Sequence, residues 1–102
     1  MATPEGKVKN KVKALLKAHG CYQFWPVQTG YGSPTLDCLG CHTGDFFAVE
    51  TKAPGKKLTP RQKDTATNIR DAWGVVFVVG ERQLADGTYS GMADLEAWLQ
   101  GR

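Results

Sequence analysis

No stretch of the sequence approaches the ~18 consecutive apolar residues of a membrane-spanning helix. The N-terminal MATPEGKVKNKVK also lacks the apolar segment of a secretory signal. A membrane span is excluded on this reading, and a cytoplasmic location is expected. Repeats and low-complexity linkers are missing too, so the 102 residues read as one domain, 1–102. An excess of one charge is equally scarce: 13 Lys and Arg against 10 Asp and Glu leave +3, too little to name a partner. What is present is a globular composition, 41% hydrophobic and 23% charged, which argues against disorder and suffices for one core.

The distribution of charge says more than its sum. Residues 1–17 carry five Lys against Glu5, and residues 52–63 carry Lys52, Lys56, Lys57, Arg61 and Lys63 with no acid. The stretches 18–51 and 64–102 are each net acidic. Two basic segments on an acidic body fit a polyanion-facing surface, although two solvated lysine-rich faces account for the charge alone equally well.

Periodicity and punctuation predict the elements. Thr3, Pro4 and Gly20 bracket a helix over 4–19, with Val8, Val12, Leu15, Leu16 and His19 as its apolar stripe. Residues 21–27 read as a strand ending at Pro26, and QTGYGSPT as a loop. Residues 36–42 and 45–53 form a hairpin around Thr43-Gly44. Thr59, Pro60 and Gln62 open a second helix as a capping box. Ala66, Ile69 and Trp73 share one face of it, and Gly74 stops it. Val75–Val79 is expected as a buried central strand. A turn follows at Asp86-Gly87, and Met92 to Leu99 forms a short amphipathic helix. The order is α-β-β-β-α-β with a helical tail, an α/β fold with a mixed sheet.

The hairpin concentrates chemistry. A two-residue turn at Thr43-Gly44 sets His42 opposite Asp45, Leu39 opposite Ala48 and Asp37 opposite Glu50. The two-residue period of a strand puts Phe46, Ala48, Glu50 and Lys52 on one face and Phe47, Val49 and Thr51 on the other. Two carboxylates and an ammonium thus converge at the end of a half-apolar surface. Facing carboxylates repel, and a hard divalent cation between them relieves that. A surface ion pair between Lys52 and one carboxylate is the plainer alternative.

Asp37 followed by Glu50-Thr51-Lys52 resembles the Asp-x12-Glu-x-Lys signature of the PD-(D/E)XK nucleases. Glu5 in the first turn of helix one, the GYGSPTLD loop, Gly44 in the hairpin and Gln62 opening helix two look like the VRR-NUC subgroup. Small phage-encoded nucleases and archaeal Holliday-junction resolvases are similar in layout. The resemblance spans roughly residues 4–80 and implies a restriction-endonuclease-like core. It also implies a divalent-metal-dependent endonuclease that hydrolyses DNA, selective for branched or junction structures and acting as a homodimer. Mg²⁺ or Mn²⁺ would be held by Asp37, Glu50, the Thr51 carbonyl and Glu5, with Lys52 at the attacking water or the phosphoryl group. Gln62 and Glu5 would complete the catalytic set. Lys56, Lys57 and Arg61 are then the candidates for phosphate contact, with Lys7 and Lys11 of helix one extending the track alongside Lys9 and Lys13. Capping alone explains Gln62, and a favourable helix terminus alone explains Glu5. The Trp73/Trp98 region and helix one are the surfaces expected to bury a second copy. A non-catalytic nucleic-acid-binding protein on the same fold is the alternative function.

The remaining motif is Cys38-Leu39-Gly40-Cys41-His42, formally a haem-attachment sequence. It lies along the strand that carries Asp37, and no haem is expected. A zinc site from Cys21, Cys38, Cys41 and His42 or His19 has the right ligand count, but Cys38 and Cys41 differ in strand parity and point to opposite faces. Reduced thiols acting as small hydrophobes remain.

Overall fold

The computed structural model describes residues 2–27 and 32–102; of the predicted QTGYGSPT loop, residues 28–31 lie outside the described part. Helix α1 spans Pro4–Ala18, capped by the Thr3 hydroxyl, which accepts from the Gly6 N–H at 3.0 Å. Its stripe is buried as the spacing requires: Val8, Val12 and Leu16 have no exposed surface, each burial being worth roughly 1.5–3 kcal/mol. Strands β1 (Tyr22–Phe24), β2 (Cys38–His42) and β3 (Asp45–Thr51) form an antiparallel run. Helix α2 (Pro60–Asp71) then crosses over to β4 (Val75–Val79), which pairs parallel to β3. The sheet order is β1-β2-β3-β4, and α3 (Met92–Gln100) closes the chain.

The hairpin register is the one the turn dictates: His42 pairs with Asp45, Leu39 with Ala48 and Cys38 with Val49. Thr43 (φ 49°) and Gly44 (φ 88°) both take left-handed backbone, the signature of a two-residue turn whose twist matches its strands. Alternation along β3 divides the core in two. Phe47 and Val49 pack with Cys38, Val79 and the apolar stripes of α1 and α3 on one face, whereas Ala48 packs with Leu36, Val76 and Ala66 of α2 on the other.

Three expectations are corrected. The first strand is only three residues long, ending before Trp25 and Pro26. Val75–Val79 lies at the edge of the sheet, not its centre; its apolar run reflects α2 on one face and α3 on the other. Helix α2 ends one residue earlier than its glycine suggests. The Trp73 N–H donates to the Arg70 carbonyl and the Gly74 N–H to the Ile69 carbonyl, both at 2.9 Å, so Trp73 itself occupies the left-handed position (φ 71°). Its side chain leaves the apolar face and is 94% exposed. Gly74 is required for a different reason: a Cβ there would lie 2.6 Å from Ile69 Cγ2.

Candidate active site

Chain direction brings the predicted residues to one end of the molecule. Strands β3 and β4 finish there, and antiparallel β2 begins there. Helix α2 runs back from β3 to the start of β4, so its first turn lies at the same end. Helix α1 precedes β1, which runs in the sense of β3, and its first turn lies there as well. Two helix N-termini thus flank the ends of the strands carrying Glu50, Thr51 and Lys52, an electrostatic setting that favours anions.

Asp37 sits one residue before β2 and is locked to β3 from both sides. Its N–H donates to Glu50 Oε1 at 3.0 Å, and its Oδ2 accepts from the Thr51 N–H at 3.1 Å and the Thr51 hydroxyl at 2.7 Å. Glu50 is 2% exposed, with Oε2 accepting from Gln62 Nε2 at 2.9 Å. Burial, reinforced by the Asp37 charge, pushes the Glu50 carboxyl up to about 7; the Asp37 N–H and the Lys52 ammonium only partly oppose this, and Glu5 adds to it. Lys52 Nζ stands 3.8 Å from Glu50 Oε2. The ion pair between Lys52 and one carboxylate, weighed as the plainer alternative, is present, but it is buried and not at the surface: Lys52 is only 8% exposed. Its position is fixed by the chain: its N–H donates to the Val79 carbonyl at 2.8 Å, and its carbonyl lies against Gly80 (φ 105°), where any Cβ would collide with it.

Gln62 caps its helix and reaches Glu50 with the same side chain. Its Oε1 accepts from the Thr59 N–H at 2.9 Å while the Thr59 hydroxyl accepts from the Gln62 N–H at 3.2 Å, completing the capping box. That leaves its amide NH₂ aimed at Glu50. Glu5 occupies the right end of α1 but pairs with Lys9 at 3.5 Å, and its side chain is 44% exposed. Among the described residues no three His, Cys, Asp or Glu side chains gather as a metal-holding group. Asp37 and Glu50 are the neighbouring carboxylates that could hold a hard cation: oxygen donors only, mutually repulsive when ionised, and suited to an ion that keeps several waters.

The basic residues divide. Lys57 and Lys63 line a cavity of about 450 Å³ with Glu81 and Arg82, and Lys56 and Arg61 are exposed nearby in the chain. On α1, it is Lys9 and Lys13 that line a cavity of about 390 Å³ with Trp25, Pro26 and Asp37, not Lys7 and Lys11. Lys13 Nζ lies 5.0 Å over the Trp25 ring, whose N–H donates to Gln23 Oε1 at 2.8 Å. Arg82, Trp25 and the Thr51 hydroxyl are contributions the sequence reading missed; none has a local pattern that marks it.

This placement has a measurable consequence. On the expectation of DNA binding drawn from the sequence, Lys13→Ala should weaken that binding and lower the slope of log affinity against log salt by about 1, whereas Lys11→Ala should leave the slope unchanged. Fluorescence anisotropy of a labelled oligonucleotide in EDTA, at several salt concentrations, reads both.

The cysteine motif disperses. Cys38 is buried against α1, its thiol pushed up to about 12 by burial, and Cys41 is exposed on the opposite face. His42 Nε2 lies 3.1 Å from the Leu99 carbonyl, which only an N–H can satisfy, so Nδ1 accepts from the Cys21 thiol at 3.4 Å. No helix among the described residues is long and apolar enough to cross a membrane. No protein-family model, curated protein or solved structure matches the chain.

Proposed function

We propose that the chain is a divalent-metal-dependent DNA endonuclease of PD-(D/E)XK type, VRR-NUC-like, selective for branched or otherwise structured DNA. The observation that carries this reading is the convergence of Asp37, Glu50, Lys52 and Gln62 at the end of β3, with the Asp37 N–H on one Glu50 oxygen and the Lys52 ammonium 3.8 Å from the other. Asp37 and Glu50 are the residues that would hold Mg²⁺ or Mn²⁺. Bound there, such an ion supplies Lewis-acid polarisation of a phosphoryl oxygen and a lowered pKa for water.

The chain's own groups do the rest. Thr51 holds Asp37 through both its N–H and its hydroxyl, so the carboxylate keeps its direction without a ligand. Gln62 holds Glu50 from the opposite side, and its own capping bonds stiffen it. Lys52 places a positive charge where negative charge grows on a phosphoryl group, in a site too buried for water to screen it. The lysines lining the two flanking cavities lie on either side, where the DNA backbone would enter and leave. Glu5, paired with Lys9, acts on the site through its field rather than as a direct ligand.

Incubation with linear, flapped, nicked and four-way DNA in Mg²⁺ or Mn²⁺ tests the proposal. Cleavage that EDTA abolishes, faster on a branched substrate, is the expected result. Equal rates on all four would remove the structural selectivity, and no cleavage of any would leave only a binding protein.

A further inference from the structure

The cavity of about 390 Å³ lined by Lys9, Lys13, Trp25, Pro26 and Asp37 joins an indole to two ammonium groups. The basic cavity beside Arg82 has no aromatic residue in its lining. A third, of about 590 Å³ between the hairpin and α2, carries Phe46 and Trp73 but no charged residue. An aromatic plane and cations together are what a nucleotide with an unstacked base requires, the ring taking the base and the cations its phosphates. The volume also falls within the roughly 300–1,000 Å³ of small-ligand sites.

Trp25 is held ready for such a role. It is the first residue after β1, and β1 runs in the sense of β3, so the indole stands at the active-site end of the sheet. Part of it packs against the core that α1 shares. Its N–H donates to Gln23 Oε1 at 2.8 Å, and Gln23 Nε2 donates to the Lys13 carbonyl at 3.3 Å, so one glutamine ties the ring to α1. Lys13 Nζ stands 5.0 Å from the ring centroid. The ring's polar atom is satisfied and its orientation set before any ligand arrives, which lowers the ordering cost of stacking.

We propose that this cavity is a nucleotide subsite in which Trp25 stacks one unpaired base of the DNA while Lys9 and Lys13 hold the flanking phosphates. The proposal rests on the nuclease reading and narrows it. Asp37, the acid of the lining, is the residue read as a metal ligand, so the stacked nucleotide adjoins the phosphate to be cut. A paired base within a duplex has both faces covered by its neighbours. Only a nucleotide out of the stack offers a face to Trp25. The basic cavity on the other flank, with Lys57, Lys63 and Arg82 and no ring, is suited to phosphate alone. The site is therefore fitted to a boundary between paired and unpaired DNA, with the unpaired side on α1 and β1.

Binding measured in EDTA tests this without cleavage. A labelled duplex with a short single-stranded flap should bind the wild type more tightly than the same duplex with blunt ends. Trp25→Leu should shrink that ratio by about tenfold, the scale of one lost base–aromatic stack, and Trp25→Phe should keep most of it. Abasic nucleotides in place of the flap bases should weaken the wild type by a similar factor and Trp25→Leu hardly at all. If Trp25→Leu proves misfolded by circular dichroism, photocross-linking of the wild type to a flap carrying 5-iodouracil decides, with the adduct expected on Trp25. A Trp25→Leu chain that keeps the wild-type ratio overturns the proposal. So does an adduct on Trp73, which would assign the base to the uncharged groove. The two readings fail separately. Trp25-dependent flap binding with no cleavage of any DNA would remove the nuclease and keep the subsite; metal-dependent cleavage of flapped DNA at one rate in wild type and Trp25→Leu would remove the subsite and keep the nuclease.

Discussion

Lys52→Met should reduce DNA cleavage by about two to three orders of magnitude while the protein remains folded, the loss expected when one preorganised charge is taken from a transition state. Methionine keeps the buried stem, which matters because Lys52 is only 8% exposed and its aliphatic part packs into the end of the sheet. Among the described residues the Lys52 ammonium is the full positive charge paired with Glu50, and it stands 3.8 Å away. Its removal acts twice. Charge building on a phosphoryl group loses a partner, and the Glu50 carboxyl, which Lys52 normally draws down, is pushed higher still. Raising the pH and the metal concentration together restores the second effect and not the first. Single-turnover cleavage at pH 8.5 with saturating Mn²⁺ therefore isolates the contribution of the charge to chemistry. Cleavage at the wild-type rate under those conditions would sink the mechanism.

Local signals made part of this site legible. Thr3, Pro4 and the two-residue Thr43-Gly44 turn are short-range devices, so the start of α1 and the register that sets Asp37 beside Glu50 followed from spacing alone. Gln62 was legible as a cap, and the cap orients its amide toward Glu50. What escaped depends on tertiary position. Lys7, Lys9, Lys11 and Lys13 look alike on a helix, and only the docking of α1 over β1 decides that Lys9 and Lys13 face Asp37. Trp73 sits four residues beyond Ile69 and matches the stripe, but the helix ends before the stripe is complete and turns the indole outward. An apolar run such as Val75–Val79 looks the same at a sheet's edge as at its centre when helices cover both faces.

The second large effect concerns stability and follows from burying Glu50 beside Asp37. In the unfolded chain this carboxyl ionises near its ordinary value of 4.5; in the folded chain it does so at about 7. Below pH 4.5 the group is protonated in both states and costs nothing. As pH rises from there toward 7, unfolding releases its proton and becomes progressively easier; above 7 the full penalty, roughly 3 kcal/mol, is in place. For a domain of this size that corresponds to a fall of roughly 10–20 °C in melting temperature across the interval. Glu50→Gln supplies the reference, since it cannot titrate, and the difference between the two pH profiles isolates this one group from all other carboxylates. Divalent metal should act against the penalty, because a cation that binds only the folded carboxylates stabilises them by mass action, about 2.7 kcal/mol at one hundred times its dissociation constant. Mg²⁺ or Mn²⁺ should therefore raise the melting temperature of the wild type strongly at pH 8 and hardly at pH 5, and that of Glu50→Gln little at either. Calorimetric scans at the two pH values, with and without metal, measure all of this in one set. A wild-type response that is the same at both pH values would show that Glu50 does not bind the ion in competition with its proton. On the proposed reading, a cation held between Asp37 and Glu50 would relieve the part of this penalty that comes from the Asp37 charge, and would do so only where it can displace the Glu50 proton.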